Sequence, residues 1–389
     1  MERKSAVKRI LLGIAVGLVL AAVIAPPASA QAIIKVSDTV NFKFGVLLQG
    51  WADWQQLNVG AAGAGPGVTG ATDGYQQNLF IRRFRLLFGG QIAKDVTFFA
   101  ETDNPNLGKA VGTTSKSLGS GFILQDAFVE WKIANEFILD GGLILIPLCR
   151  NCNESAASQL TLDYGSFSFL ENGPTQSSVG RDTGFQAKGY LFGDHLEYRA
   201  GAYQGFRQAG SRNAFRFAGR LMYAFLDVEK GPFYAGTYLG KKKVFTIGAS
   251  YDTQNDYKAY GVDAFLDLPV GKGNGVTVEI DYIRYDGGVT FTALPKQDTF
   301  LGQAGFFFGG PKLMPFFRYE SQSFSEAVRK VNNTQNIQAG LTWYPYGHNF
   351  NLRAAYTSRA RPKTPSTNPV TAKVETTSEF TLQVQLFYF

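Results

Sequence analysis

Phe380-Thr381-Leu382-Gln383-Val384-Gln385-Leu386-Phe387-Tyr388-Phe389 closes the sequence with apolar and polar residues alternating as far as Leu386, then three aromatics. A terminus left in water is usually polar and loosely held, so an aromatic one needs a hydrophobic home. Alternation is the pattern of a strand with one apolar and one wet face. Such a strand suits either the last strand of a soluble β-sandwich or a strand closing a barrel in lipid, where both faces are used. The rest of the chain has to decide between them.

At the other end, Arg3, Lys4, Lys8 and Arg9 precede an apolar run from Ile10 to Ile24 and the small residues Ala28-Ser29-Ala30. This is the layout of a secretory signal peptide, expected to be removed near Ala30. The formal charge is +7, of which residues 1–30 supply +3, leaving +4 for the mature part. That excess is too small to argue for nucleic acid or another polyanion as partner. The mean hydropathy of −0.09 resembles that of a soluble protein. No mature segment approaches the ~18–20 unbroken apolar residues of a membrane helix. The unusual counts are 33 Phe, 18 Tyr and 44 Gly, which suit a membrane barrel with aromatic girdles and many turns.

Working back from the closing strand, about sixteen alternating segments can be counted. They start at Phe42–Trp51, Leu79–Gln91 and Val96, and continue through Phe122–Ile133, Phe137–Ile146, Arg181–Tyr190, Leu196–Tyr203 and Phe215–Phe225. Eight more lie between Val244 and Phe389. The connections are long and short in turn, as in a barrel with external loops on one side and periplasmic turns on the other. One connection, Asp227 to Lys243, is long on the short side and is expected to lie in the periplasm.

Rows such as Phe80/Phe84/Phe88 and Phe217/Leu221/Tyr223/Phe225 would have to be buried in a sandwich, although charges such as Arg83 and Arg85 stand on the opposite face. A water-filled lumen inside lipid satisfies both faces, and lipid tolerates no open sheet edge, so the sheet has to close. The expectation is a transmembrane antiparallel β-barrel of about sixteen strands over residues 31–389.

Several segments resemble the bacterial phosphate-selective porin O/P family. They are Arg82-Arg83-Phe84-Arg85-Leu86, Leu124 to Glu130, Gly180 to Gly184, Tyr238 to Lys243, Tyr260 to Phe265, Pro315 to Glu320, Gly340 to Tyr344 with Gly347-His348-Asn349, and the closing Phe380 to Phe389. The resemblance implies an outer-membrane porin, usually trimeric, with an external loop folded into the lumen. In the family's best-known members, pore arginines and a lysine constriction select anions.

By strand parity, the lumen cations are Arg83, Arg85, Lys132, Lys188, Arg199, Arg216, Arg220, Arg318 and Arg353. The lumen acids are Glu101, Asp126, Glu130, Glu197, Asp263, Glu279, Asp281 and Glu320. The two groups nearly cancel, and a wall of mixed sign keeps a pore wet without selecting strongly. The candidate constriction loop, residues 147–179, carries Arg150 against Glu154, Asp163 and Glu171, with no lysine cluster. Arg216 with Arg220 and Arg83 with Arg85 read either as a basic stripe for anions or as partners of acids on neighbouring strands.

Cys149 and Cys152 enclose two residues, and Asn153 stands where haem attachment would require His. The two histidines, His195 and His348, fall in predicted periplasmic turns, so a four-ligand zinc site is not formed. A local disulfide is one reading of the pair; a redox or soft-metal role is the other. The same placement of the histidines removes the general base that a serine-type barrel hydrolase needs. No cofactor site is legible.

The functional expectation is a general or weakly selective diffusion channel for small hydrophilic solutes in the bacterial outer membrane. An anion or oxyanion channel is the alternative, and a sheath around an inserted cytochrome is the alternative of another class. In the closing strand, Leu382, Val384 and Leu386 are expected to face lipid, and Thr381, Gln383 and Gln385 the lumen. Phe389 then has lumen parity, which either a terminal bulge or an aromatic cluster past the rim would explain.

Overall fold

The structure is a computed structural model that describes residues 32–56, 75–111, 115–119, 121–209, 212–362 and 374–389. The expected signal peptide and the glycine-rich run Gly60 to Gly70 lie outside these residues. Sixteen antiparallel strands form the wall: β1 (Asn41–Gln56), β2 (Tyr75–Ala93), β3 (Val96–Asp103), β4 (Ile123–Lys132), β5 (Ile138–Leu145), β6 (Arg181–Leu191), β7 (Leu196–Tyr203) and β8 (Arg216–Ala224) make the first half. The second half comprises β9 (Val244–Gln254), β10 (Tyr257–Val270), β11 (Asn274–Asp286), β12 (Gln297–Phe307), β13 (Leu313–Phe324), β14 (Thr334–Tyr346), β15 (Phe350–Pro362) and β16 (Val374–Tyr388).

Each strand pairs with its sequence neighbours, and β16 returns to β1 in the register Phe380↔Trp54, Val384↔Gly50 and Leu386↔Leu48. The sheet therefore closes and leaves no edge, which is the condition for a spanning sheet in lipid. A short strand, Ala32–Lys35, adds outside this ring against β1.

Alternation sorts the side chains as the sequence anticipates. Phe217, Leu221 and Tyr223 on β8, Val262 on β10, Phe317 on β13 and Leu382 and Leu386 on β16 are exposed on the outer surface. The intervening residues are buried inside, charged and polar groups such as Arg216, Arg220, Asp263, Arg318, Gln383 and Gln385 alternating there with apolar ones such as Met222, Phe265 and Phe316.

Of the four register shifts in the described wall, two re-aim residues of the lumen. Opposite Gln49 and Gly50 the register skips Arg82, so Phe80 turns inward and is buried rather than joining the outer row. Opposite Glu101 and Thr102 it skips Gln125, which places both Gln125 and Asp126 inside. An extra residue leaves two consecutive side chains on one face and re-aims the side chains beyond it.

The long connection after β5 enters the lumen, with a short 3₁₀ turn at Asn151–Asn153 and one helical turn at Asn172–Thr175. The connection after β8 departs from expectation. Instead of lying in the periplasm, it rises into the barrel and pairs in parallel with the other loop at Glu154↔Tyr234. Ser155 N–H donates to Tyr234 O (2.9 Å) and Tyr234 N–H to Asn153 O (2.9 Å). The reason is burial: Glu229, Tyr234, Thr237 and Leu239 lose nearly all exposure there. Leu160 of the first loop, fully buried, packs with Leu239, Phe307, Met314 and Tyr344. Burying one such leucine contributes about 1.5–3 kcal/mol.

Candidate functional site: a lumen filled from both ends

Above the two meeting segments, on the side of the long loops, lies an open vestibule of about 410 Å³. Its lining carries five cations, Arg82, Arg83, Lys109, Arg318 and Arg359, and three acids, Asp163, Glu320 and Glu379. Most of these charges are already partnered. Asp163, from the loop, receives Arg82 Nε at 2.8 Å and is also held by Arg83. Burial alone would raise the Asp163 carboxyl, but these two guanidinium groups hold it well below the usual carboxylate range.

Arg82 lies 5.6 Å from the Trp51 ring, and Arg83 lies 5.3 Å from that of Tyr164. The bulge is what brings both arginines to one carboxylate, so Arg82 belongs to the site although simple alternation assigns it to lipid. Arg359 pairs with Glu379, and Lys109 lies 5.0 Å from the Phe80 ring.

The floor of the vestibule is polar and tightly bonded. Gln49 Nε2 donates to Ala156 O (3.1 Å) and Gln385 Oε1 (2.9 Å), and Gln385 Nε2 to Ala157 O (2.8 Å). Below it is a second cavity of about 140 Å³, lined by Leu47, Leu87, Phe99, Ala156, Phe233 and Phe389 with Arg85 and Glu101 at one edge.

The remaining wall charges pair with one another, across strands except for Arg199 and Glu197, which share β7. Arg85 reaches Glu101 (2.6 Å) and Asp103 (3.0 Å), Lys188 reaches Glu130 (2.6 Å) and Asp140 (3.0 Å), and Arg199 reaches Glu197 (2.6 Å). Arg216 binds Asp252 (2.5 Å), and Arg220 binds Asp263 (2.5 Å) two strands away. Gly248 on the intervening strand makes that crossing possible, since a Cβ there would collide with both the Arg220 guanidinium and the Asp263 carboxylate.

Arg353 donates to Asn351 Oδ1 at 3.2 Å and to the loop carbonyl of Thr161, and Arg318 binds the carbonyls of Asp163 and Tyr164 and the carboxylate of Glu320 at 3.5 Å. Glu279 and Asp281 also face inward and are buried. Lys132 does not line the lumen. It is exposed where β4 ends, and its backbone N–H donates to Asp95 O at the rim.

In the loop, Arg150 is fully buried and binds Glu229 through two 2.8 Å hydrogen bonds. Its guanidinium carbon lies 3.6 Å from the Phe265 ring centre and 5.0 Å from that of Tyr234. Cys149 and Cys152 are disulfide-bonded with Cα atoms 5.1 Å apart, buried against Tyr257, Ile283 and Phe291. Tyr234 donates its hydroxyl to Glu197 at 2.6 Å.

Sequence reasoning missed Arg181, which holds Asp126 (3.1 Å) from the first position of β6, where alternation is not yet imposed. It also missed Glu229 and Tyr234, because a connection on the short side carries no periodicity to indicate that it turns inward.

Neither a family model nor a curated protein matches this sequence. Solved structures do match in shape. The outer membrane channel DcaP of Acinetobacter baumannii superposes with a TM-score of 0.53 at 12% identity, covering 91% of this chain and 99% of that one. OprB of Pseudomonas putida in its high-pH structure gives 0.59 at 10% identity over 89% and 94%. The anion-selective porin from Comamonas acidovorans gives 0.52 at 11% identity over 90% and 100%. The likeness is one of fold, and it agrees with the barrel that the resemblance to the phosphate-selective porin O/P family implies.

Proposed function

We propose that this chain is an outer-membrane channel through which small hydrophilic solutes diffuse, its passage narrowed by loop segments from both ends. The observation that carries this reading is the polar, charge-lined vestibule inside a closed barrel whose outer surface is apolar. The wall charges are mixed and largely paired, so they hydrate the lumen without presenting a ring of one sign. Selectivity should therefore be weak.

The second reading, an anion or oxyanion channel, is favoured by the two-cation excess in the vestibule lining. The cytochrome sheath is disfavoured because both loop segments occupy the space an inserted partner would need. No catalytic role is assigned to any residue. Export through a signal peptide over residues 1–30, residence in the outer membrane and assembly as a homotrimer belong to the same proposal.

Planar-bilayer recordings in a salt gradient test it. Stepwise conductance with a small reversal potential is expected. A protein that keeps its folded, heat-sensitive gel mobility yet never conducts would overturn the channel, and a large anion-directed potential would replace the first reading by the second.

A further inference from the structure

Where the long loop first meets the wall, three carboxyl groups converge. Glu154 of the loop is fully buried, Glu279 and Asp281 stand two residues apart on the inner face of β11, and Asn151 bridges the loop carboxyl to that of Asp281. Their other oxygens have ordinary donors. Asn151 Nδ2 reaches Glu154 Oε2 (3.3 Å), Gln303 Nε2 reaches Glu279 Oε2 (2.6 Å) and Asn151 N–H reaches Asp281 Oδ1 (3.2 Å). Glu154 Oε1, Glu279 Oε1 and Asp281 Oδ2 are buried with no such donor among the described residues.

The cations nearby are committed elsewhere. Arg150 is bound to Glu229, and Arg220 to Asp263, the register partner of Asp281. Arg318 is spent on Glu320, Gln303 and loop carbonyls. The facing segment after β8 offers Tyr234, whose hydroxyl goes to Glu197.

Three carboxyl groups gathered in a buried site without a cation of their own repel one another when ionised, and each has an oxygen that lacks a donor. Protons shared among the three carboxyls would relieve that repulsion and supply the missing donors. The loop side of the cluster leads straight to the vestibule. Tyr164 donates its hydroxyl to Glu154 O (2.7 Å) and lines the vestibule beside Arg83. Asn151, which holds Asp281, also accepts from Gly165 N–H (2.8 Å) and Ser168 Oγ (3.1 Å).

Resting on the channel reading above, we propose that Glu154, Glu279 and Asp281 are a proton-operated latch. Shared protons fasten the constriction loop to the wall, and their loss as pH rises releases the loop and widens the channel. Burial pushes the Glu154 carboxyl up to about 7. A carboxyl raised in the fastened state binds more protons there than in the released state, so fastening weakens as pH rises toward that value. The latch is closed in mild acid and open in mild alkali.

The test uses the full mature protein in bilayers at about pH 5 and about pH 8.5, on either side of the Glu154 transition. Hydrogen exchange over residues 150–166, corrected for the intrinsic pH effect, is measured in parallel. Conductance should rise from the lower pH to the higher, and exchange in the loop should accelerate with the same midpoint. E279Q keeps a hydrogen-bonding group without the charge and should remain in the low-conductance state at the higher pH. E154Q, which lies on the loop and outside the barrel wall, should do the same, so a folding failure of the first variant does not shield the proposal.

Conductance and exchange that are both flat in wild type, or a wild-type midpoint in the glutamine variants, would overturn the latch. A protein that conducts at neither pH but still shows the exchange step would instead overturn the channel reading and keep the latch.

Discussion

Replacing Glu229 by Ala tests what holds the two lumen segments together. The wild-type Arg150 guanidinium is buried and makes two 2.8 Å hydrogen bonds to that carboxylate, which is itself almost fully buried. Without Glu229, it retains the Ala235 carbonyl at 2.9 Å and the faces of Phe265 and Tyr234. Those contacts exist in the parent as well, so they return nothing. Breaking a buried pair from one side costs about 3–5 kcal/mol, because the surviving charge is uncompensated. Even the lower figure, set against the docked arrangement alone, shifts its ratio to an undocked one by more than about 100-fold.

Single-channel recording at about pH 6, below the Glu154 transition, should therefore show E229A spending most of its time in a wider state. Replacing both partners by Met exchanges the pair for apolar side chains, a change that is often neutral, and should restore the narrow state. E229A channels with parental conductance in a heat-sensitive, folded barrel would refute the reasoning, as would a double variant as open as the single one.

The double change Arg216→Ala with Arg220→Ala leaves Asp263 buried without its guanidinium, at about 3–5 kcal/mol, and Asp252 with the Tyr257 hydroxyl alone at 2.7 Å. The expected result is a lower temperature of barrel unfolding on gels with little change in reversal potential; unchanged stability with lost anion preference would refute it. At Gly236 a Cβ would stand 2.8 Å from Leu160 N and 2.9 Å from Gln159 Cα, so Gly236→Val should pry the segments apart and raise conductance. Cys149 and Cys152 are joined and almost fully buried, so thiol alkylation of the native protein should fail until it is reduced and unfolded. Ready native labelling would count against the disulfide.

The wall was legible because a strand in lipid obeys a two-residue period over its whole length, and the period alone assigns a face to each side chain. The arginines on β8 obey it without exception. It misled wherever an extra residue entered. Alternation places Phe80, and Arg82 by the same parity, toward lipid, but the bulge at Arg82 turns both inward, and Arg82 joins Arg83 on Asp163 in the vestibule. Lys132 failed for another reason: alternation says which side a residue takes but not where the strand ends, and there the chain has reached the rim. The filled lumen was beyond such reasoning. The segment from Glu229 to Leu239 has no period, and its destination is set by Arg150, Leu160 and Asn153, none of which is near it in sequence.

The closing strand shows how far parity can be trusted and why. Its alternation continues without a bulge, with Tyr388 in register opposite Val46. Thr381, Gln383 and Gln385 face inward among polar partners, and the same parity carries Phe387 and Phe389 inside. Neither a terminal slip nor a position past the rim is needed, because the lumen at that height is not wet. Phe389 packs with Phe99 at 5.6 Å and against Leu47, Leu87, Ala156 and Ala157, and Phe99 meets Phe233 at 5.5 Å. The home that the aromatic terminus requires is thus an apolar chamber built jointly by wall and loops. A mutation that withdraws the loops should expose Phe389 to water. Phe389→Ala should accordingly destabilise the wild-type barrel, by less than the about 1.5–3 kcal/mol of a fully buried ring because Phe389 is partly buried, and destabilise E229A by much less. Equal losses in the two backgrounds, measured by thermal unfolding in detergent, would mean that the terminal ring is held by the wall alone.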